Sequence, residues 1–281
     1  MSKKLNKQQL QRLRQLSNDI RVDVITMLGN AKSGHPGGSL SIVELIVALF
    51  YCIMNIDSNN PEWEERDRFH LSKGHGCPAL YAVLARLGYF PIEEFNNLRQ
   101  LGGLLQGHPH PRTPGIEVAS GSLGQGLSVA CGMALADRLD KKNSSVYVLL
   151  GDGELQEGQV WEAAMLASHY NLDNLYVIID YNGMQIDGKI EVVMDVQPLI
   201  KKFDAFGFHV SEVDGHNIER IVKVIESAQK VKGKPKVIIA RTIKGKGVSF
   251  MEHNLDFHGR APNNDETDKA LTELKEFGTY D

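Results

Sequence analysis

The sequence is poor in cysteine, has no block of positive charge and carries no apolar run as long as a membrane span. Its three cysteines, Cys52, Cys77 and Cys131, are widely spaced and include no Cys-X-X-Cys pair, so neither a disulfide framework nor a zinc ribbon is indicated. The formal net charge of −4 disfavours nucleic acids and membrane surfaces as partners. We therefore expect small molecules or other proteins as partners, with no nucleic acid and no membrane.

The sequence also shows no targeting segment. Its first sixteen residues are polar with a helical pattern and lack the apolar centre of a signal peptide. The most apolar stretch, residues 42–56, contains Glu44 and is shorter than the ~20 residues that a membrane-spanning helix needs. We expect a cytoplasmic protein in which this stretch forms a buried core helix.

Apolar segments in the second half of the chain alternate between strand-like and helix-like patterns. Strands are predicted at residues 146–150, 175–180, 209–213 and 237–240, and helices at residues 158–170 and 217–231. Strands that are apolar throughout and separated by helices predict an α/β fold, with a parallel sheet and helices on both faces. No linker divides the sequence, so a single domain is predicted over residues 1–281, including an N-terminal helix in residues 1–30 and a polar tail at 262–281.

The first half is predicted to be mainly helical. Apolar residues at helical spacing indicate a first helix that ends at Gly29 or soon after. Ser39 or Ser41 is expected to cap the apolar helix that follows. Further helices are predicted through residues 81–87 and 123–139, each preceded by a glycine-rich turn.

Polar residues follow two of the predicted strands. Asp152, flanked by two glycines, follows the strand at 146–150, and Asn182 follows the next strand along the chain. Twenty-eight residues separate Gly153 from Asn182, enough for one β-α-β unit that brings both strand ends to one crevice. Asp152 and Asn182 offer oxygens to a hard cation, and Gly153 lets a diphosphate approach the backbone. The pattern favours a magnesium diphosphate site, although a lone Gly-Asp-Gly is also typical of a turn with a helix cap.

The segments GDGELQEGQVWEAA and DYNGMQIDG resemble those of thiamine diphosphate enzymes, and more narrowly those of transketolase. The resemblance implies the thiamine diphosphate-binding fold, with thiamine diphosphate and Mg²⁺ as cofactors and Ca²⁺ or Mn²⁺ as substitutes for the metal. It also implies that Asp152, the side-chain oxygen of Asn182 and the main-chain carbonyl of Met184 hold the metal. The family often has asparagine where this sequence has Tyr181, which leaves the ligand Asn182 in place.

Four histidine-containing segments, SGHPGG, SKGHG, GHP and FHG, resemble four transketolase loops in the same order. The resemblance implies that His75 and His258 contact the cofactor diphosphate, and that His35, His108 and His258 line the reacting carbon and the sugar hydroxyls. Ketol transfer needs a donor hydroxyl to lose a proton and developing alkoxides to receive hydrogen bonds, which imidazoles near pH 7 can provide. His110 has no counterpart in this scheme and is assigned to the surface or to loop packing; a His108/His110 metal pair is a weaker alternative.

Two further segments fit the resemblance. GSLGQG is implied to place backbone atoms of Gly121, Ser122 and Leu123 against the aminopyrimidine and thiazolium rings, although it is also a common glycine-rich helix start. RTIKGKG resembles the basic loop after the last strand, from which Lys244 could reach the cofactor. A solvated lysine cluster is the competing interpretation.

The resemblance covers only the amino-terminal part of a full transketolase. The glutamate that activates the cofactor in the family has no counterpart here, so the resemblance implies the N-terminal subunit of a split transketolase. Such a subunit needs a separate C-terminal pyrimidine-binding subunit, with an α₂β₂ assembly expected. Glu157 and Glu162 either face that partner or simply solvate their helix.

The implied reaction transfers a two-carbon ketol unit from a ketose phosphate to an aldose phosphate, as in the pentose phosphate pathway. A split transketolase for a modified sugar, such as a sulfo- or branched sugar, is an alternative, as is a non-catalytic cofactor-binding or regulatory subunit. A 1-deoxyxylulose 5-phosphate synthase or a dehydrogenase E1 component is disfavoured by the His-Pro motifs. A Rossmann dehydrogenase is disfavoured because no GxGxxG follows a first strand.

Overall fold

The structure is a computed structural model and describes residues 5–277. The predicted α/β architecture with a parallel sheet is confirmed. The strands are β1 Arg68–Leu71, β2 Val146–Gly151, β3 Leu175–Tyr181, β4 Met184–Gln185, β5 Gly188–Lys189, β6 His209–Asp214 and β7 Lys236–Arg241. The helices are α1 Lys7–Ala31, α2 Pro36–Leu40, α3 Val43–Ala48, α4 Cys77–Arg86, α5 Gly126–Leu139, α6 Gly158–His169, α7 Ile190–Val193, α8 Leu199–Ala205, α9 Ile218–Ala228 and α10 Asn264–Phe277.

The main sheet has the order β1-β2-β3-β7-β6, and every neighbouring pair is parallel. Side chains alternate between its faces, since a strand has a period of two. Tyr147 and Leu149 of β2 pack in one buried cluster, whereas Val148 and Leu150 pack in a second cluster on the other face. This two-sided burial explains why the central strands are apolar without alternation.

Helices cover the two faces in separate groups. Ile20 of α1, Leu45 of α3 and Leu80 of α4 belong to the same cluster as Tyr147. Ala130 of α5 and Phe203 of α8 belong to the cluster of Val148. The strand ends that carry the predicted site therefore lie between two filled layers, which fix their positions.

The two ends of the described chain pack against each other. Helix α1 begins with a capping box in which Asn6 and Gln9 exchange side-chain to backbone hydrogen bonds. Its Asn18 side chain donates to the Leu274 carbonyl of α10 at 2.8 Å. The polar tail predicted at 262–281 thus contains a helix, while residues 1–4 and 278–281 lie outside the described residues.

The apolar stretch predicted as one core helix is divided into α2, α3 and a π-helical turn at Leu49–Ile53. By length and composition Pro36–Ile53 could cross a membrane, but 83% of it is buried inside the protein, as in a core helix. The predicted serine cap is wrong: Ile42 is the N-cap of α3 and makes no capping bond. The Ser41 hydroxyl instead donates to Asp180 at 2.7 Å.

Candidate active site

The polar ends of β2 and β3 lie side by side, as the 28-residue spacing predicts. Gly151 pairs with Asp180 in the parallel register, and the Asp152 amide donates to the Asp180 carbonyl at 3.2 Å. The buried Asp152 carboxylate accepts from the Gly183 amide at 2.5 Å and from the Gly153 amide at 2.9 Å. A short 3₁₀ turn follows Asp152, and α6 begins only at Gly158.

The other two predicted metal ligands lie next to this carboxylate. The Asn182 side-chain oxygen accepts from the Met184 amide at 3.1 Å, and the Met184 carbonyl accepts from the Lys244 ammonium at 3.2 Å. Over residues 5–277, no group of three or more His, Cys, Asp or Glu side chains could hold a metal. A set of one carboxylate, one amide oxygen and one main-chain carbonyl is nevertheless suited to a hard cation that keeps waters and phosphate oxygens.

A buried ion pair that the sequence patterns did not predict lies under this site. Lys73 and Asp180 are 2% and 0% exposed, and their charged atoms lie 2.6 Å apart. Asp180 also accepts from the Ser41 and Thr242 hydroxyls and from the Asn182 amide. Burial alone would raise the pKa of Asp180, but Lys73 and these hydrogen bonds lower it below its usual value. Both residues lie within the SKGHG and DYNGMQIDG motifs, yet nothing in the sequence pairs them.

The Asp152 carboxylate is held in a different electrostatic state from Asp180. Burial, with the Asp180 charge added to it, raises the pKa of Asp152 to about 6. The Gly183 and Gly153 amides act in the opposite direction but do not outweigh these two effects. A buried carboxylate beside a second one is an electrostatically favourable place for a cation.

The structure brings together the four histidines from the four predicted loops. Ring centroids lie 5.2 Å apart for His35 and His75, 5.9 Å for His35 and His258, 5.5 Å for His75 and His258, and 6.4 Å for His35 and His108. His110, by contrast, is exposed and accepts from the Arg112 amide. The surface assignment of His110 agrees with this position, and the structure gives the His108/His110 metal pair no support.

The clustered imidazoles are neutral near pH 7. Burial is the largest cause, and it lowers the pKa of His35 to about 4 and that of His258 to about 3. Burial also lowers the pKa of His75 and of His108. Neutral rings each offer one N–H donor and one acceptor, which suits contact with hydroxyl groups.

Lys244 reaches the centre of the site. Its ammonium donates to the Met184 carbonyl and lies 2.8 Å from His258 Nδ1. Burial, followed by the charge of Lys73, lowers the pKa of Lys244 to about 8. Its location excludes the alternative of a solvated lysine at this position.

The crevice between these loops contains buried polar atoms that could meet a cofactor. His35 Nδ1 and Ser120 Oγ are buried without a hydrogen-bond partner among the described residues. Gly121, at φ +150°, lies beside His108, where a Cβ would be in ordinary contact at 3.4 Å from the ring. Ser122 and Leu123 are exposed beside it. Unpartnered polar atoms next to an open glycine turn fit a heteroaromatic ligand with a polar edge.

Two further residues of the site were not predicted from the sequence. Glu154 is 2% exposed and accepts from the Gly124 and Gly151 amides and the Ser72 hydroxyl, so it joins the GSLGQG turn to the end of β2. Arg99 lies against Gly107, where a Cβ would approach its guanidinium carbon to 2.8 Å. After burial, the Arg99 charge is the next cause of the low pKa of His35.

Two glutamates predicted to face either a partner or the solvent, Glu157 and Glu162, are both exposed. Glu157 lies beside the GSLGQG turn, since a Cβ at Gly124 would approach its side chain to 2.6 Å. Glu162 follows on helix α6. Both side chains are therefore free to meet solvent or a second chain at the edge of the crevice.

The known proteins that this chain resembles are transketolases or transketolase subunits. The profile of the family described as "Transketolase, thiamine diphosphate binding domain" matches residues 13–278. The chain is 48% identical over 267 residues to the 6-deoxy-6-sulfo-D-fructose transketolase subunit SqwG of Clostridium sp. (strain MSTE9), covering 95% of this chain and 97% of that one. It is 41% identical to a subunit of the apulose-4-phosphate transketolase of Phocaeicola vulgatus, covering 95% of each chain.

Solved structures of longer proteins match over the same region. The transketolase of Campylobacter jejuni superposes with a TM-score of 0.89 at 35% identity, over 99% of this chain and 44% of that one. The transketolase of Leishmania mexicana superposes with a TM-score of 0.88 at 34% identity, over 94% of this chain and 41% of that one. The chain thus spans about two fifths of the length of these structures.

Proposed function

Because this chain belongs to the transketolase family and matches its thiamine diphosphate-binding domain, we propose that it is the N-terminal subunit of a two-chain transketolase. In the proposed reaction a two-carbon ketol unit passes from a ketose phosphate to an aldose phosphate. One observation carries the proposal: four histidine loops, Lys244 and the Asp152 carboxylate converge on one crevice at the carboxyl ends of the strands.

The residues present fit Mg²⁺ and the diphosphate of the cofactor. Asp152, the Asn182 side-chain oxygen and the Met184 carbonyl would hold the metal. His75, His258, Lys244 and the Gly153 amide region would hold the diphosphate. Backbone atoms of residues 121–123 would lie against the rings. Bound there, thiamine diphosphate supplies a nucleophilic ring carbon and an electron sink.

The neutral imidazoles then have defined tasks. His35, His108 and His258 can accept hydrogen bonds from sugar hydroxyls or donate to alkoxide oxygens as they develop. Because burial lowers the pKa of His35 and His258, a proton taken by either ring is readily returned. Half-burial of all four rings also reduces competition from water.

The proposed enzyme needs a second chain and works in the cytoplasm. Two relatives that match over nearly their whole length are named as transketolase subunits, and the solved transketolases continue well beyond the matched region. A separate C-terminal subunit would supply the pyrimidine-binding domain, in an α₂β₂ assembly. The exposed Glu157 and Glu162 are proposed to face that subunit.

A modified sugar is the second candidate for the donor. The relative at 48% identity is named for 6-deoxy-6-sulfo-D-fructose, and another is named for apulose 4-phosphate. Each name pairs a transketolase with a sugar that bears a sulfo or phosphate group. The same histidine cluster would serve either class of donor, since it contacts the hydroxyl-bearing part of the sugar.

The test is a ketol-transfer assay on this chain alone, on a candidate C-terminal chain alone, and on their co-expressed complex. Xylulose 5-phosphate, 6-deoxy-6-sulfo-D-fructose and apulose 4-phosphate are offered with ribose 5-phosphate or glyceraldehyde 3-phosphate as acceptors, with thiamine diphosphate and Mg²⁺. We expect transfer only in the complex. Magnesium-dependent cofactor binding by the complex without transfer from any donor would favour the non-catalytic subunit. Condensation of pyruvate with glyceraldehyde 3-phosphate, tested in a parallel assay, would favour a 1-deoxyxylulose 5-phosphate synthase.

Cofactor binding is expected to weaken as the pH falls below about 6. In the folded protein burial raises the pKa of Asp152 to about 6, so a proton competes with the metal below that value and not above it. Affinity for the magnesium complex should fall up to about 10-fold per pH unit below pH 6. Calorimetry between pH 5 and 8 measures this, after correction for protonation of free thiamine diphosphate. A flat profile down to pH 5 would contradict the assigned metal ligand.

A further inference from the structure

The segment that contains Lys244 is hydrogen-bonded, on the side facing away from the active site, to residues that are not part of the site. This segment, the Lys244 loop, comprises residues 242–247. At its front, Thr242 donates to Asp180, and Lys244 contacts Met184 and His258. The position of the loop therefore decides where the Lys244 ammonium lies.

On the other side of the loop, the Ile243 amide donates to His216 Nε2 at 2.8 Å. A ring nitrogen that accepts from an N–H must carry its lone pair, so the proton of the neutral ring resides on Nδ1. Nδ1 lies 2.9 Å from a Glu44 carboxylate oxygen, to which it donates. The hydrogen bonds thus fix both the orientation and the tautomer of His216.

Glu44 forms an ion pair with Arg21, which also hydrogen-bonds to the backbone of the loop. The Arg21 guanidinium lies 2.7 Å from Glu44, and its Nε donates to the Lys246 carbonyl at 2.9 Å. Arg21 and Glu44 are 6% and 8% exposed. Gly247 has φ +95°, and a Cβ there would lie 2.8 Å from Arg21 Cδ. His216 and Arg21 therefore hold the loop at two backbone positions, one on each side of Lys244, in addition to its backbone hydrogen bonds with Tyr181 and Gly37.

We propose that His216 is a positioning residue of the active site, which, with Glu44 and Arg21 behind it, holds the Lys244 loop in the orientation that places Lys244 against Met184 and His258. The inference rests on the proposed function only in taking the cofactor diphosphate as the group that Lys244 meets. The hydrogen bond that His216 Nε2 accepts from the Ile243 amide increases the affinity for the cofactor, in addition to any contribution it makes to folding.

Two substitutions separate the two ring nitrogens. In His216→Gln the side-chain oxygen can occupy the place of Nε2 and accept from Ile243, but contact with Glu44 is lost. In His216→Asn the amide can occupy the place of Nδ1 and donate to Glu44, but it cannot reach Ile243. Ile221→Val is the control, because Ile221 is buried on helix α9, which begins two residues after His216, and its side chain has no group that could hydrogen-bond to the loop.

The complex with the C-terminal subunit is titrated with thiamine diphosphate at saturating Mg²⁺, and hydrogen exchange of residues 242–247 is followed by mass spectrometry. We expect His216→Asn to raise the Kd for thiamine diphosphate about 10-fold, the equivalent of one lost hydrogen bond, and to speed exchange in the loop. His216→Gln should remain within about threefold of the original chain in affinity. The apparent KM for the cofactor should rise more than kcat at saturation falls.

Equal losses in His216→Gln and His216→Asn would overturn the proposal, as would an equal rise in Kd for Ile221→Val at a matched melting temperature. If the unsubstituted complex binds no thiamine diphosphate, the proposed function fails. The exchange comparison still decides the positioning role in that case: faster exchange of the loop in His216→Asn than in His216→Gln supports it, and identical exchange overturns it.

Discussion

Replacing Asp152 with asparagine is expected to abolish magnesium-dependent cofactor binding and, with it, ketol transfer. The amide keeps one oxygen for the Gly183 or Gly153 amide, so the turn can keep its shape, but the negative charge that a hard cation needs is lost. Loss of a charged contact of about 3 kcal/mol corresponds to at least about a 100-fold drop in affinity. Titration of the complex with thiamine diphosphate at fixed Mg²⁺ measures it.

The same variant should not be less stable without ligands. Burial and the neighbouring Asp180 raise the pKa of Asp152 to about 6, which means that its ionised form is disfavoured in the folded state. A folded-state pKa above the unfolded one costs stability as the pH rises through 6, so Asp152→Asn should match or exceed the unligated melting temperature at pH 7.5. Only the original chain should then gain stability from thiamine diphosphate with Mg²⁺.

Asp187→Asn is the matched control for this prediction. Asp187 is exposed and lies five residues after Asn182, so the same chemical change there should leave cofactor binding intact. If Asp152→Asn kept its magnesium-dependent increase in melting temperature, Asp152 would not be a metal ligand. The oxygen set would then have to be sought elsewhere in the crevice.

The sequence predicts well those parts of the fold in which a local residue pattern has a single physical cause, such as burial of a strand on both faces. The apolar runs of β2, β3 and β7 reflect burial on both faces. The observed first and last residues of these strands differ from the predicted ones by no more than one residue. The meeting of Asp152 with the end of β3 follows from chain length alone, because one helix and one strand fill the interval. The four histidine loops were grouped by resemblance, and the structure places them together.

Short or irregular elements were missed for the opposite reason. Strand β1 is four residues long and includes Arg68 and His70, so it carries too few apolar positions to show a strand period. The expected cap at Ser39 or Ser41 is wrong for two reasons: Ser39 lies inside α2 and donates to the His35 carbonyl, and a tertiary partner, Asp180, takes the Ser41 hydroxyl. Asp180 lies 139 positions from Ser41 in the sequence, so no residue pattern near the serine indicates this contact.

The buried charges are the largest part of the site that could not be predicted. Lys73 and Asp180 are 107 positions apart in the chain, and Ser72 and Glu154 are 82 apart. Lysine and glutamate are usually exposed, so sequence patterns alone assign them to the surface. Their pairing depends on the register between β1, β2 and β3, which only the folded sheet defines.

Replacing Lys73 with methionine is expected to destabilise the protein by about 3–5 kcal/mol, because it leaves Asp180 charged and without its cation in the interior. Asp180 is 0% exposed and Lys73 is 2% exposed, so water cannot take the place of the ammonium. Three hydrogen-bond donors, from Ser41, Thr242 and Asn182, remain but supply no full charge. Denaturant unfolding at pH 7, followed by circular dichroism, measures the loss.

Two comparisons isolate the charge as the cause. Lys142→Met removes a lysine whose acidic neighbours, Glu64 and Asp140, have side chains 83% and 62% exposed at 3.9 and 3.7 Å, so it should cost less than about 1 kcal/mol. In Lys73→Met combined with Asp180→Asn no uncompensated charge remains, and the double variant should be more stable than Lys73→Met alone.

The pH dependence of Lys73→Met gives an independent check of sign. Without the ammonium, burial dominates and raises the pKa of Asp180 above its unfolded value, so the variant should lose stability as the pH rises and regain it as the pH falls toward 4. In the original chain the pKa of Asp180 is lowered, so the carboxylate contributes stability above the unfolded pKa and loses it as the pH falls. Parallel pH profiles for the two chains would show that Asp180 does not depend on Lys73 for its charge, and that the pair matters for packing alone.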